Sequence, residues 1–260
     1  MDLNFSEAEI ARYSRHILLR EVGGTGQARL RATSVLIIGA GGLGSPAALY
    51  LAAAGIGRIG IVDHDVLELS NLQRQIAHTM AGIGRAKVAS AAAAMRAINP
   101  DIIVTPIEAR VDAASTNALI ADYDIVLDGT DNFETRFLVA DACVRARKTL
   151  VSAAVLRFEG QISTFKPHAG AELPCYRCLY PEAPPAGMVP SCSEAGVLGP
   201  VTGVMGTLQA VEAMKESLGI GTGLAGRLLL WDALDMRFRM IAVPRDPDCP
   251  VCGFSGPSHA

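Results

Sequence analysis

Ser34-Val35-Leu36-Ile37-Ile38-Gly39-Ala40-Gly41-Gly42-Leu43-Gly44 is the stretch that decides the fold. Its first five residues are an apolar run of buried-strand type. The next six fit G-x-G-x-x-G, a turn that brings backbone N–H groups to a phosphate at a helix N-terminus. Gly39 permits the tight turn, Gly41 (with Gly42 beside it) the close backbone approach, and Gly44 the packing of helix on strand. Taken alone, the turn points to a dinucleotide and hydride transfer. Val35 to Gly57 carries no charge over 23 residues. Gly39, Gly41, Gly42, Gly44 and Pro46 divide that run into strand, turn and helix, which excludes a membrane span.

Outward from this unit the pattern alternates. Ser6-x-x-Glu9 is a capping box opening a helix to about Leu19. Gly23–Gly26 should break it, with a further short helix over 27–31. Strand 34–39 leads to helix 45–54, strand 58–63, an irregular polar segment 65–80 and helix 84–98. Strand 102–107, helix 112–121, strand 124–128, helix 132–147 and strand 149–154 follow. The pattern is α/β: a Rossmann-like, doubly wound and mostly parallel sheet. After residue 155 the character changes. A strand over 157–165, a Pro-, Cys- and Gly-rich segment 167–200, a helix 202–218, and strands 228–231 and 236–243 extend the sheet in antiparallel fashion. We expect a single domain over 1–260: a helical segment 5–31, a nucleotide-binding core 34–154, and a sheet extension with metal and loop regions over 155–253.

Composition narrows the function classes. Half the residues are hydrophobic, 19% are charged and the net charge is −3. Such a chain buries a substantial core, and its charge argues against a general nucleic-acid or anionic-membrane binder. Met1–Glu9 is polar and acidic, without signal-peptide character, so a cytoplasmic protein is expected.

The residues after the glycine turn change the expected nucleotide. Asp63 ends the second strand, about 20 residues on, where an acidic side chain meets ribose hydroxyls; a turn or cap role is its alternative, and Asp65 is the better cap. Ser70-Asn71-Leu72-Gln73-Arg74 is a polar loop close behind. Lys87 falls in the first turn of the next helix, a poor place for a cation against the helix dipole unless an anion is bound there. Arg74 and Lys87 with a glycine turn suit a triphosphate better than a dinucleotide, with solvated surface charge as the bland alternative. Asp131, in Asp128-Gly129-Thr130-Asp131-Asn132, follows a strand at its carboxyl end. Beside phosphates it is a natural Mg²⁺ ligand; capping the helix that starts near Asn132 is its other role.

Six cysteines are present. Cys175-x-x-Cys178 and Cys249-x-x-Cys252 match a closed four-thiolate zinc site, which would tie the loop after residue 170 to the C-terminal region. Disulfides, rare in a cytosol, and a redox pair are the alternatives. Cys143 reads as core. Cys192 is the better candidate for a reactive thiol, although spacing alone favours an inert one.

Together these residues resemble the HesA/MoeB/ThiF adenylyltransferases, relatives of the ubiquitin-activating enzymes. Arg12-Tyr13-Ser14-Arg15, Gly39–Gly44, Asp63-His64-Asp65, Ser70–Gln75, Gly84-Arg85-Ala86-Lys87, Gly129-Thr130-Asp131-Asn132, Arg177-Cys178-Leu179-Tyr180-Pro181 and both Cys-x-x-Cys pairs carry the resemblance, over roughly residues 5–253. It implies ATP-dependent adenylation of the C-terminal glycine of a small ubiquitin-like sulfur carrier ending in Gly-Gly, for molybdopterin synthesis or, alternatively, for the thiamin thiazole. It implies ATP on Gly39, Gly41, Gly42, Gly44, Asp63, Asp65 and Asn132, with phosphate contacts from Asn71, Arg74 and Lys87. Mg²⁺ falls to Asp131 and zinc to Cys175, Cys178, Cys249 and Cys252. Arg15 matches an arginine that reaches into the partner's site, so a homodimer is expected. Cys192 matches the cysteine that links covalently to the carrier in the thiamin branch. With the chain ending at Ala260, sulfur is expected to come from a separate sulfurtransferase. A nicotinamide dehydrogenase or a non-catalytic scaffold would leave Arg74, Lys87, Asp131 and the cysteines without a shared purpose.

Overall fold

A computed structural model describes residues 3–185, Met188 and 192–253, without the side chains of Cys192 and Ser193. The strands are β1 (Ser34–Ile38), β2 (Arg58–Asp63), β3 (Ile103–Glu108), β4 (Ile125–Asp128), β5 (Thr149–Leu156), β6 (Glu159–Phe165), β7 (Arg227–Asp232) and β8 (Arg237–Ala242). The helices are α1 (Glu7–Ile17), α2 (Gly23–Ala32), α3 (Gly44–Ala54), α4 (Lys87–Ile98), α5 (Thr116–Ala121) and α6 (Phe133–Arg145). They continue as α7 (Tyr176–Leu179), α8 (Cys192–Ala195) and α9 (Gly199–Leu218).

One eight-stranded sheet runs β3-β2-β1-β4-β5-β6-β7-β8. The first five strands in that order pair in parallel, and β5 to β8 pair antiparallel. The sheet is Rossmann-like with an antiparallel extension, as the alternation of elements predicts. All five residues of β1 are buried, the mark of a central parallel strand covered on both faces. Val35 and Ile37 join the core cluster containing α3, α4 and α9 residues. Leu36 and Ile38 face the other way, among α5 and α6 residues. The order reverses between β1 and β4, so the crevice for a ligand opens at their carboxyl ends.

Several boundaries differ from the sequence reading. The Gly23–Gly26 run does not break the chain but opens α2. A Cβ on Gly26 would come within 3.0 Å of Val22 and 3.2 Å of Leu218, so tertiary packing outweighs glycine's low helix propensity. Helix α4 begins at Lys87, not 84, because Gly84 takes φ +81° and Ala86 is extended against Val66. Helix α5 begins at Thr116, since Asp112 instead accepts the N–H groups of Ala114 and Ser115 in a local turn. Helix α9 starts three residues earlier than expected, with Pro200 in its first turn. The Ser6/Glu9 capping box forms as predicted.

Candidate functional site

A cleft of about 900 Å³ lies at the carboxyl ends of the parallel strands. Gly39, Gly41 and Gly42 form its floor, with Asp63, Asp65, Arg74, Lys87, Asp131 and Asn132 around it. The sequence placed these residues on separate elements, and the fold brings them around one cleft. Helix α3 has no side-chain cap, which leaves its first N–H groups for an anion.

The turn depends on two glycines. Gly39 has φ +96°, and a Cβ there would meet the Gly129 carbonyl at 2.9 Å. A Cβ on Gly44 would lie 1.8 Å from the Gly39 carbonyl oxygen. Gly44→Ala should therefore lower unfolding stability by about 3 kcal/mol or more, since neither backbone can give way. An unchanged denaturation midpoint would refute this.

Asp63 is anchored through both oxygens. They accept the Ala40 N–H at 2.8 Å and the Asp65 N–H at 2.9 Å. Each carboxylate oxygen keeps a second lone pair, so Asp63 can still receive hydroxyl donors from the cleft. Lys87 is the first residue of α4 and is buried, and its Nζ lies 2.7 Å from Asp65 Oδ2. Burial pushes the Asp65 pKa up, but the hydrogen bond and charge of Lys87 outweigh it and hold it below the usual range. Asp65 is thus the standing counter-ion of Lys87 rather than a simple cap. Arg74 is half-buried, and its Nη1 donates to the Ser70 carbonyl at 3.2 Å.

The two roles open for Asp131 separate cleanly. Asn132 caps α6, accepting the Thr135 N–H at 2.9 Å. Asp131 is exposed on the cleft and makes no hydrogen bond or ion pair among the described residues. It is a carboxylate without a structural task. Asn71 stands off the cleft wall: it is buried, and its carboxamide oxygen takes the Glu68 N–H at 3.1 Å. Gly44 lies beneath the turn. Arg15 is exposed on α1, outside the cleft of its own chain. The side chain of Cys192 lies outside the described residues.

The sequence reading did not single out His78. Its ring is buried under the glycine turn, with Nε2 2.9 Å from the Ala40 carbonyl and Nδ1 3.0 Å from the Ser90 hydroxyl. The carbonyl requires Nε2–H, and in the neutral ring Nδ1 then accepts from the Ser90 hydroxyl. Burial pushes its pKa below the ordinary 6.5. The folded state therefore binds this proton less readily than the unfolded state. The His78 contribution is fully present above about pH 6.5 and is lost as pH falls, with a limiting slope of about 1.4 kcal/mol per pH unit. Urea unfolding of His78→Asn should show a smaller stability loss between pH 7.5 and 5.5 than the parent protein; equal losses would contradict the assignment.

The cleft continues over the antiparallel strands. Ala154, Gln161, Leu230 and Arg239 are successive cross-strand neighbours from β5 to β8, and all four line it. Leu156, Glu159, Asp232 and Arg237 form a second such row.

Away from the cleft, Cys175, Cys178, Cys249 and Cys252 converge, with ligand atoms all within 4.8 Å of one another. Measured Sγ–Sγ separations are 3.4, 3.6 and 3.9 Å. A tetrahedron with bonds of about 2.3 Å has edges of about 3.8 Å, so this donor set fits zinc. All four are free thiols. Cys143 is buried in α6, which pushes its thiol pKa far up, as expected of a core cysteine.

No helix among the described residues is long and apolar enough to cross a membrane. The ThiF family profile matches residues 13–251. The SAMP-activating enzyme E1 of Haloferax volcanii is 49% identical over 256 residues, covering 98% of this chain and 93% of that one. The sulfur carrier protein adenylyltransferase of Thermus thermophilus is 47% identical over 253 residues, covering 96% and 93%. The adenylyltransferase and sulfurtransferase MOCS3 of Bos taurus is 53% identical over 249 residues, but this chain spans only 54% of its length. In fold, the chain is similar to a crystal structure of E. coli MccB, with a TM-score of 0.83 at 23% identity, covering 99% of this chain and 76% of that one. The match over most of its length and the close identity to full-length relatives establish that this chain belongs to the ThiF family.

Proposed function

We propose that the chain uses ATP to adenylate the C-terminal glycine carboxylate of a small ubiquitin-like sulfur carrier, releasing pyrophosphate. The observation that carries this reading is the single cleft lined by the glycine turn, Asp63, Arg74, Lys87 and Asp131. Relatives named as adenylyltransferases, one of them of a sulfur carrier protein, support it. A nicotinamide dehydrogenase would leave the cations and Asp131 unused.

A terminal carboxylate has a pKa of about 3.5 and is ionised at neutral pH, so no general base is needed. One of its oxygens forms a bond to the α-phosphorus; the bond from that phosphorus to the bridging oxygen breaks, and pyrophosphate leaves with the electron pair. The barrier is repulsion between anions, lowered by positioning and by fixed charge. In this reading the α3 N-terminus receives the phosphates, Asp63 the ribose, and Arg74 and Lys87 the developing charge on the leaving group. Mg²⁺, when bound, neutralises phosphate oxygens, and Asp131 would hold it. Zinc at the four cysteines would support structure, with no open position for chemistry.

The proposed assembly is a homodimer in which Arg15 serves the partner's cleft; its exposure on α1 suits that role. We assign the carrier to molybdenum cofactor synthesis, with the thiamin carrier and a covalent Cys192 step as the alternative, and place the reaction in the cytoplasm with a separate sulfurtransferase downstream. Carrier-dependent ATP–pyrophosphate exchange tests the reading, run with each carrier ending in Gly-Gly. Exchange with the molybdopterin carrier is expected. Exchange only with the thiamin carrier would move the assignment to the alternative, and no exchange with any carrier would refute the function.

A further inference from the structure

The parallel ladder between β4 and β5 ends at the pair Asp128–Ser152. At that end, side chains reach the carbonyls of the diverging strands. From α9, Gln209 Nε2 donates to the Asp128 carbonyl at 2.7 Å and the Val151 carbonyl at 3.1 Å. From α6, Arg136 Nη2 donates to the carbonyls of Thr130 and, at 3.0 Å, Ala153. Strands that separate to open a crevice leave such carbonyls without backbone donors, and buried ones must find partners.

The Asp128 carboxylate holds the same turn. Its Oδ1 accepts the Thr130 N–H at 3.0 Å and the Thr130 hydroxyl at 2.6 Å, and its Oδ2 accepts the Ser152 hydroxyl at 2.8 Å. Arg136 Nε lies 4.0 Å from that oxygen. Thr130 is therefore fixed through its N–H, hydroxyl and carbonyl, and the next residue is the unpartnered Asp131. Burying a guanidinium is costly. A packing role would be filled better by an aliphatic side chain; here the two N–H bonds of Nη2 span two carbonyls while Nε faces the Asp128 carboxylate. Arg136 also interacts with the Tyr176 hydroxyl. Tyr176 packs edge-on to Phe137 at 5.3 Å and Phe165 at 5.6 Å, and it sits between Cys175 and Cys178.

We propose that Arg136 is a positioning residue: it fixes the Gly129–Asn132 turn so that Asp131 offers its carboxylate to a phosphate-bound divalent cation, and Tyr176 links this support to the cysteine cluster. The inference rests on the metal role assigned above to Asp131. The test measures Mn²⁺ binding by electron paramagnetic resonance, with a non-hydrolysable ATP analogue present, in Asp131→Asn, Arg136→Lys and Tyr176→Phe. Arg136→Lys should weaken Mn²⁺ binding about ten- to a hundred-fold, the usual effect of losing an outer-shell support. Metal-free nucleotide binding and zinc content should be unchanged. Tyr176→Phe should act in the same direction but less, and it decides the matter should Arg136→Lys fail to fold. Parental Mn²⁺ affinity in Asp131→Asn would refute the metal role itself. Loss in Asp131→Asn with parental affinity in the folded Arg136 and Tyr176 variants would overturn the positioning role alone.

Discussion

Replacing Lys87 with methionine should lower carrier-dependent ATP–pyrophosphate exchange by about 10²- to 10³-fold, the range seen when one preorganised charge is removed from a transition state. Lys87 is buried and held 2.7 Å from Asp65, so its cost of ordering is met before ATP arrives. A charge fixed in a site of low dielectric acts far more strongly than one in water. Methionine keeps the length and packing of the stem. It leaves the Asp65 side chain, itself 51% exposed, free to hydrate, so stability should change little. Asp65→Asn should cost less activity than Lys87→Met, because it removes the counter-ion and not the cation. Exchange within a few-fold of the parent in Lys87→Met would remove this residue from the chemistry.

The second large effect concerns the cysteine cluster. The protein should carry about one zinc per chain, lost in Cys178→Ser. Loss of a structural metal belongs to the rare changes costing about 4–5 kcal/mol or more. For a chain of this size, about 2–4 °C per kcal/mol gives a fall in Tm of roughly 8–20 °C. The cluster joins α7 to the segment after β8, across about 70 residues, and Arg177 pairs with Asp141 of α6 at 2.8 Å beside it. Melting should therefore begin at this end of the molecule. Metal analysis and calorimetry read both numbers, and an unchanged Tm with zinc absent would make the cluster dispensable.

The fold was legible where local pattern and global packing agree. The apolar run of β1, the glycine turn and the strand-helix alternation all followed from residue periodicity, and the cysteine spacing pointed to a cluster that does form. Legibility stopped where backbone atoms are the partners. Arg136, Gln209 and His78 act on carbonyl oxygens, which carry no mark in the sequence. Capping of α6 was open to Asp131 from the sequence, and the backbone gives that cap to Asn132 instead. Asn71 sits in a motif that suggests phosphate contact, yet its side chain closes its own turn. Gly26 shows the limit of propensity: its need for close packing against Leu218 appears only once α9 is in place.

On the proposed reading, the antiparallel extension sets a length for the tail of a protein substrate that lies across it. From Ala154 to Arg239 the lining row crosses four strands, a path of about 14 Å at the usual spacing of about 4.8 Å. An extended peptide needs about four residues to cover that distance. A carboxylate carried by a folded protein reaches the glycine turn along this row only when it stands that far clear of its own domain. In the proposed reaction, the width of the sheet thus sets the tail length that would bring a carrier's last residue to the turn.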